Sequence, residues 1–357
     1  MDHLEVIAAK LHFTYVPIEI GYRIGERGVV QKAARMLRDY RHFLRALRRA
    51  TRSGAPVTVH INSSVQHASL VRDLGFALLA RVARADMQVV QIHGCELYGP
   101  TDRKPVLRKL ARLLAFVAGR MILLSSSQLE AIGGAAIPRG AVIRNSIELL
   151  EPIARQGRGA GQGPLRVLFL ARIVAEKGIL KCLEAMVLLR EAGLTVELTV
   201  AGDGPLLEDL RARIEELAIG DRVDVRGPVA AHEVRPLMAA HDILWAPYLG
   251  AEGQPYSMIE ALEAGMPILA TASSPAMQEM IKVAGGAVVE VLPDAKDLAA
   301  KTMSLIHDHE LLTQLQSRAR MVAEREYSVG AVLHQWKGVW SVERFDFECP
   351  GAMSSQK

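Results

Sequence analysis

The chain has 357 residues, half of them apolar and only 5% aromatic, with a formal net charge of +4. That is enough for two domains of about 150–200 residues with real cores, and it excludes a disordered or fibrous protein. The small net charge hides an asymmetry, since residues 1–160 carry 24 Lys and Arg against 12 Asp and Glu, and residues 161–357 carry 19 against 27. A basic half and an acidic half predict two domains with different partners. Cys95, Cys182 and Cys349 are widely spaced and match no metal or redox spacing, which suits a reduced, cytoplasmic setting. Met1 to Phe13 lacks the pattern of a signal peptide. The most apolar window, Leu110 to Leu124, is interrupted by Arg112 and Arg120 and is too short to span a bilayer.

Residues 4–8 and 13–18 read as two weak strands. Gly21, Gly25 and Gly28 lack the strand-turn-helix order of a phosphate loop. Residues 29–52 read as a helix, with Arg38, Arg41, Arg45, Arg48 and Arg52 at steps of three and four and Leu37, Leu44 and Leu47 on another face. The arginine stripe suits either a solvated surface or a peripheral contact with anionic lipid at the inner face of a membrane. Nucleic acid is not expected, because no aromatic residues interleave with the arginines. A strand over Val57 to Ile61 ends in a polar turn, Asn62-Ser63-Ser64, and a helix covers Ala68 to Ala83. Strand Gln88 to Ile92 ends at His93-Gly94; then follow helix Lys104 to Gly119, strand Met121 to Ser125 and strand Ala141 to Ile143, which ends at Arg144-Asn145-Ser146. Such alternation predicts a parallel sheet covered on both faces, with ligands at the carboxyl ends of its strands.

The glycine-rich stretch 155–164 reads as a linker between a first domain over 1–154 and a second over 165–327. A C-terminal helix over 328–346 and a tail over 347–357 complete the chain. In the second domain the alternation restarts: strands 166–171, 195–201, 223–226, 243–247, 267–271 and 287–291, with helices over 178–192, 205–217, 232–240, 257–265, 294–309, 311–327 and 331–344. Two strand ends carry charge in a suggestive way. The loop Arg172 to Gly178 holds Arg172 and Lys177, which could converge on a pyrophosphate or form a surface pair with Glu176. The bend from Glu252 to Glu260 places Gly253, Tyr256, Ser257 and Met258 at a helix start, an anion site by its N–H groups. The two carboxylates suit sugar hydroxyls rather than phosphate. Ser257 and Glu260 equally fit a capping box that needs no ligand.

Taken in order, Arg172…Glu176-Lys177-Gly178, the turn Ala201-Gly202-Asp203-Gly204-Pro205, the strand end Arg226-Gly227 and the pair Glu252 and Glu260 resemble the retaining GT-B glycosyltransferases of the "glycosyl transferases group 1" (family 4) class. The resemblance covers nearly all of residues 165–330. It implies an α/β fold of two Rossmann-like domains facing across a cleft, and a nucleoside-diphosphate sugar held mainly by the second. It further implies that Arg172 and Lys177 hold the diphosphate, Glu252 faces the transferred sugar and Glu260 holds the ribose. Gly202, Gly204, Gly253 and the main chain of Tyr256, Ser257 and Met258 contact the donor in this reading, with Gly227 to Val229 beside the base. His93 of the first domain touches the hexose, and the last helix, around Tyr327 to Trp340, crosses back to the first domain. The acceptor is then a saccharide or a lipid-linked precursor of a cell-surface polysaccharide or glycolipid. No Asp-x-Asp motif stands where a metal would be held, so metal-independent catalysis without a cofactor is expected.

Some positions depart from the class. The chain starts near the family's second strand, so the first strand and its glycine-rich loop are not found. Ala171 stands where Gly is usual, and Gln254 where an apolar residue is usual. The two substitutions are tolerable, because neither removes a charged group. The missing loop means either a truncated or reassigned start or compromised activity, and it makes a catalytically impaired homologue, acting as a binding or partner subunit, the alternative. A glycoside hydrolase would also use two carboxylates, but it leaves Arg172 and Lys177 unexplained.

Overall fold

The computed structural model describes residues 3–20, 28–98, 104–137, 139–152 and 163–340. Gly21, Gly25, most of the stretch 155–164, Cys349 and the tail lie outside the described residues. The chain forms two compact units, Met1–Arg144 with Val332–Lys357, and Asn145–Ala331.

In the first unit, α1 (His3–Lys10) is followed by α2 (Val29–Thr51), β1 (Thr58–Val65), α3 (His67–Val82), β2 (Met87–Cys95), α4 (Lys104–Ala118), β3 (Met121–Leu123), α5 (Ser126–Ile132) and β4 (Gly140–Val142). The strands are parallel and run in the order β1-β2-β3-β4. Two expectations fail at the start of the chain. Residues 4–8 are helical, and 13–18 have no regular structure. Leu4, Ile7 and Ala8 are all buried, and their spacing is that of a helix face, which the short window disguised as a strand. Asn62, Ser63, Ser64, His93 and Gly94 lie within strands rather than in turns after them. On α2 the buried side carries Asp39, Phe43 and Leu47, while Leu37 is 56% exposed, so it does not belong to the apolar face. Tyr40 and Phe43 both pack edge-on against Phe76 of α3, at ring distances of 4.6 and 5.2 Å. Arg38, Arg41, Arg45, Arg48 and Arg52 are all exposed.

The second unit contains β5 (Leu165–Leu170), α6 (Ile179–Glu191), β6 (Val196–Ala201), α7 (Leu207–Glu216), β7 (Val223–Gly227), α8 (Ala231–Ala239), β8 (Ile243–Ala246), α9 (Tyr256–Glu263), β9 (Ile268–Thr271), α10 (Pro275–Ala284), β10 (Val288–Val291), α11 (Ala295–His307) and α12 (His309–Val322). Its six strands are parallel in the order β10-β9-β8-β5-β6-β7. The order reverses between β5 and β8, the place where doubly wound sheets open a crevice at their carboxyl edge. Leu165, Val167 and Phe169 of β5 face one apolar cluster, and Leu168 faces another, so the central strand is buried on both sides.

Two helices escape the sequence reading. Each follows a serine whose hydroxyl accepts an N–H three residues on: Ser125 from Gln128 before α5, and Ser274 from Met277 before α10, at 3.2 and 3.1 Å. Residues 145–152, assigned above to the first domain, belong to the second unit. Ile147 bonds on either side of Ser328, accepting from Val329 and donating to Tyr327, both at 2.9 Å. The last helix, α13 (Val329–Trp340), is counted with the first unit from Val332 onward. There Trp336 and Trp340 pack on His60, and the Arg120 guanidinium caps the carbonyls of Gly338 and Val339.

Gly178 ends the β5–α6 loop at φ +74°, and a Cβ there would lie 2.0 Å from the carbonyl oxygen of Pro247. Gly178→Ala is therefore expected to cost more than the roughly 1–2 kcal/mol of a left-handed L-residue. Gly54→Ala, at φ +75° with open space around it, should cost only that amount. Denaturant midpoints of the two variants check this; equal losses would remove the close-approach argument.

Candidate functional site

The loop from Ala171 to Gly178 is stitched to its neighbours by main-chain bonds. Ile173 donates to Asp203 at 2.8 Å, Leu206 donates back to Ile173 at 3.2 Å, and Gly202 donates to Gly227 at 2.8 Å. A Cβ on Gly202 would meet the Ala171 carbonyl oxygen at 1.9 Å, and one on Gly204 would meet the Ile173 oxygen at 2.4 Å. These glycines thus have a packing reason of their own. The same bonds delay α7, which starts at Leu207 and not at Pro205. On the other side, the Glu176 carbonyl accepts from Leu249 at 2.8 Å and from Gly250 at 2.9 Å. Three strand-end loops are drawn together at the reversal of strand order.

Lys177 lies inside this junction, only 8% exposed. Its Nζ is 2.8 Å from Glu252 Oε1 and 4.2 Å from the centre of the Tyr248 ring. The surface pair with Glu176 is therefore not formed: the lysine turns inward, where a carboxylate and an aromatic face replace its water. Tyr248 is buried. Its hydroxyl is 3.2 Å from Ser257 Oγ, and Thr271 Oγ1 donates to its carbonyl at 2.6 Å. Ser274 Oγ holds the Glu252 carbonyl. The sequence reading missed Tyr248, although it directly follows the β8 strand end Ala246-Pro247 where ligands gather.

The capping box is not realised. α9 begins behind Pro255 without a side-chain cap, and the Ser257 hydroxyl faces Tyr248 instead. Met258 and Ile259 donate to the Pro255 carbonyl at 3.1 and 3.4 Å, which leaves Tyr256 and Ser257 ahead of the helical ladder. The Met258 side chain is in the core, and its N–H is already bonded to the Pro255 carbonyl. Gly253 lies in the loop before this start, and Gly227 closes β7 at φ +75°. Val229 packs against the cluster beneath α9. Lys177, Glu252 and Ser257 are thus brought together through Tyr248. Arg172, on the same loop as Lys177, is exposed and its guanidinium has no partner among the described residues.

Glu260 is half-buried on α9 and its carboxylate has no hydrogen-bond donor among the described residues. Burial first, and the nearby Glu263 second, push its pKa up to about 7. Glu263 is the second residue that the sequence reading missed. It is 4% exposed and lies between Arg235, at 3.0 Å, and Arg320, at 2.7 Å. Those arginines also hold the carbonyls of Glu151 and Leu150, and Leu150 donates to Glu263 at 3.3 Å. The network fixes α9 to residues 150–151, and its members looked like ordinary helix charges in sequence. His93 belongs to the first unit, where its Nε2 is 3.2 Å from Asn62 Oδ1 and its ring meets His3 edge-on at 6.5 Å. Among the described residues no cluster of His, Cys, Asp and Glu could hold a metal ion, and no helix is long and apolar enough to cross a membrane.

The second unit is thus a doubly wound α/β domain with a buried, carboxylate-paired lysine and a helix start without a side-chain cap at its switch point. Residues 151–322, somewhat under half of the chain, match the family "glycosyl transferases group 1". Relatives include the amylovoran biosynthesis glycosyltransferase AmsK of Erwinia amylovora, 30% identical over 48% of this chain and 43% of its own. Another is a GDP-mannose-dependent alpha-(1-6)-phosphatidylinositol dimannoside mannosyltransferase of Mycobacterium tuberculosis, 32% identical over 39% of this chain and 36% of its own. The chain spans about half the length, or less, of the curated relatives it matches. Among solved structures, Anabaena Alr3699/HepE in complex with UDP and glucose superposes with a TM-score of 0.67 at 18% identity, over 93% of this chain and 87% of that one. The fold is of the GT-B class.

Because Glu260 binds its proton more tightly when folded, its ionisation between about 4.5 and about 7 opposes folding. Its contribution to stability is therefore lost as pH rises through that window. The melting temperature of Glu260→Gln relative to the unsubstituted protein should rise from pH 5 to pH 8. A difference that stays constant over that range would contradict the assignment.

Proposed function

We propose that the protein is a glycosyltransferase that moves a sugar from a nucleoside-diphosphate donor to a saccharide or lipid-linked acceptor, with retention at the anomeric carbon. Synthesis of a cell-surface polysaccharide or glycolipid is the setting. The observation that carries this reading is the Lys177–Glu252 contact, which joins the β5–α6 loop to the loop before the uncapped α9. In the ligand-free protein Glu252 stands where a second anion would sit beside Lys177. A donor diphosphate takes over the lysine, with Arg172 as a second cation and the main chain of Tyr256 and Ser257, which precedes the helical ladder, beside it; the Met258 N–H stays with the Pro255 carbonyl. Glu252, released, accepts a hydroxyl of the transferred sugar. As the bond from the anomeric carbon to the β-phosphate oxygen breaks, negative charge grows on that oxygen, where fixed cations and helix dipoles stabilise it most.

Glu260 accepts the ribose hydroxyls in this scheme, and its raised pKa makes donor affinity fall on acidification. Gly202, Gly204 and Gly253 keep the loops free of Cβ atoms at the donor, with Gly227 and Val229 beside the base. His93 of the first unit is assigned to the hexose, in a pair with Asn62. The names of the relatives, one of exopolysaccharide synthesis and one acting on a phosphatidylinositol mannoside, support both kinds of acceptor. UDP in the Anabaena structure and GDP-mannose in the mannosyltransferase support a nucleoside-diphosphate donor and leave two bases to compare.

UDP or GDP is expected to raise the melting temperature, and Lys177→Ala to lower nucleotide affinity by about 10- to 150-fold, the loss of one charge-assisted contact of roughly 1.5–3 kcal/mol. No shift with any nucleoside diphosphate would favour the impaired homologue that binds a partner instead. The exposed guanidiniums of Arg38, Arg41, Arg45, Arg48 and Arg52 are assigned to an anionic membrane surface. Sedimentation with phosphatidylserine vesicles at low salt should exceed that with neutral vesicles and fall as salt is added. Equal binding to both would remove that assignment.

A further inference from the structure

The loop that carries Glu252 has no regular structure from Pro247 to Pro255, and it contains Gly250 and Gly253. A loop of this composition does not hold a carboxylate in place by its own backbone. Two of its outside supports, Ser274 on the Glu252 carbonyl and Glu176 on the Leu249 and Gly250 N–H groups, come from strand ends beside it. A third support comes from a different part of the chain. The Asn145 main-chain N–H donates to Gln254 Oε1 at 2.9 Å, and Asn145 Nδ2 donates to the Gln254 carbonyl at 3.0 Å. Each side chain thus reaches the other's main chain. The ring this closes fixes both the direction and the register of Gln254, two residues after Glu252 and three before Ser257.

The clasp is dry and its far side is anchored. Asn145 is 2% and Gln254 6% exposed. Ile147 is bonded on both sides of Ser328, and residues 150–151 are held by the Glu263 network. Asn145 therefore projects from a stretch fixed at two further points. It also carries a cost, since its Oδ1 is buried without a hydrogen-bond partner among the described residues. An apolar residue would remove that cost but could not supply the Nδ2 donor, so an amide that is only half satisfied points to a use for the half that is bonded. Gln254, which stands where the family resemblance led one to expect an apolar residue, is the partner that gives it one.

We infer that Asn145 and Gln254 form a clasp that sets the donor loop, which makes Asn145 a positioning residue for the nucleoside-diphosphate sugar. The inference rests on the reading of this site as a donor site. It acts through pre-organisation: a loop already set in its bound form does not have to be ordered when the donor arrives. The two bonds can be removed one at a time. Asn145→Ala removes the Nδ2 donor and keeps the main-chain N–H on Gln254, while Gln254→Ala removes the acceptor and keeps Nδ2 on the main-chain carbonyl.

The test is isothermal titration of the full chain with UDP and with GDP at 25 °C, with circular dichroism to confirm that each variant is folded. Either single substitution is expected to weaken the nucleotide that binds by about ten-fold. The double variant should be only slightly weaker than the singles, because one broken bond already opens the ring. A lower melting temperature with unchanged nucleotide affinity in both singles would overturn the inference and leave the pair a packing contact. Should Asn145→Ala fail to fold, Gln254→Ala decides alone, by the same criterion. If the unsubstituted protein binds neither nucleotide, the donor-site reading itself falls and the clasp with it, an outcome distinct from binding that the variants leave intact.

Discussion

Much of the second unit's carboxyl edge is arranged about one ion pair. Lys177 is almost without water, and its charge is met by Glu252 at 2.8 Å and by the face of Tyr248. A lone ammonium at that depth would be expensive, and a partner at this distance offsets much of the cost. In the proposed scheme the pair is an interim arrangement. A lysine balanced by one movable carboxylate can exchange it for a phosphate without ever being left bare. The proposed donor site would need that property between turnovers.

The contact exists because of strand order. β5 and β8 are neighbours in the sheet although 72 residues separate the end of one from the start of the other, and each sends its loop over the same edge. The loops then approach to main-chain contact. Gly178 against Pro247, Gly202 against Ala171 and Gly204 against Ile173 all sit where a methyl group would collide with a carbonyl. Glycines that a sequence reader assigns to ligand approach are first of all required for loop-to-loop approach. Both demands fall on the same positions, because a crevice floor is where backbones converge.

Around this junction lies a supporting frame that touches no reacting group in the proposed scheme. Glu263 between Arg235 and Arg320 ties α9 to residues 150–151. That network also bears, after burial, on the state of Glu260, one turn earlier on the same helix. Its carboxylate is buried first of all, and second it sits beside the charge of Glu263, so it holds a proton up to about 7. A diol could supply the hydrogen-bond donor it lacks among the described residues. The frame and the unsatisfied carboxylate are two consequences of one arrangement of acids on α9.

What the sequence by itself determined was the order and type of most elements, the doubly wound class of the second unit and the short list of charged loop residues. Those signals are local: a period of two or three to four, a glycine after a strand, a proline after a loop. It failed where the local signal was ambiguous, reading the buried face of α1 as a strand and overlooking α5 and α10, whose serine caps were present but unread. It also proposed a capping box at Ser257 that the Tyr248 hydroxyl pre-empts. Only the tertiary structure decided that Lys177 turns inward to Glu252, that Asn145 closes on Gln254 across 109 residues, and that Glu263 is shared by two arginines. Partners of that kind are chosen by which strand ends become neighbours, and that is a property of the whole sheet rather than of any window along the chain.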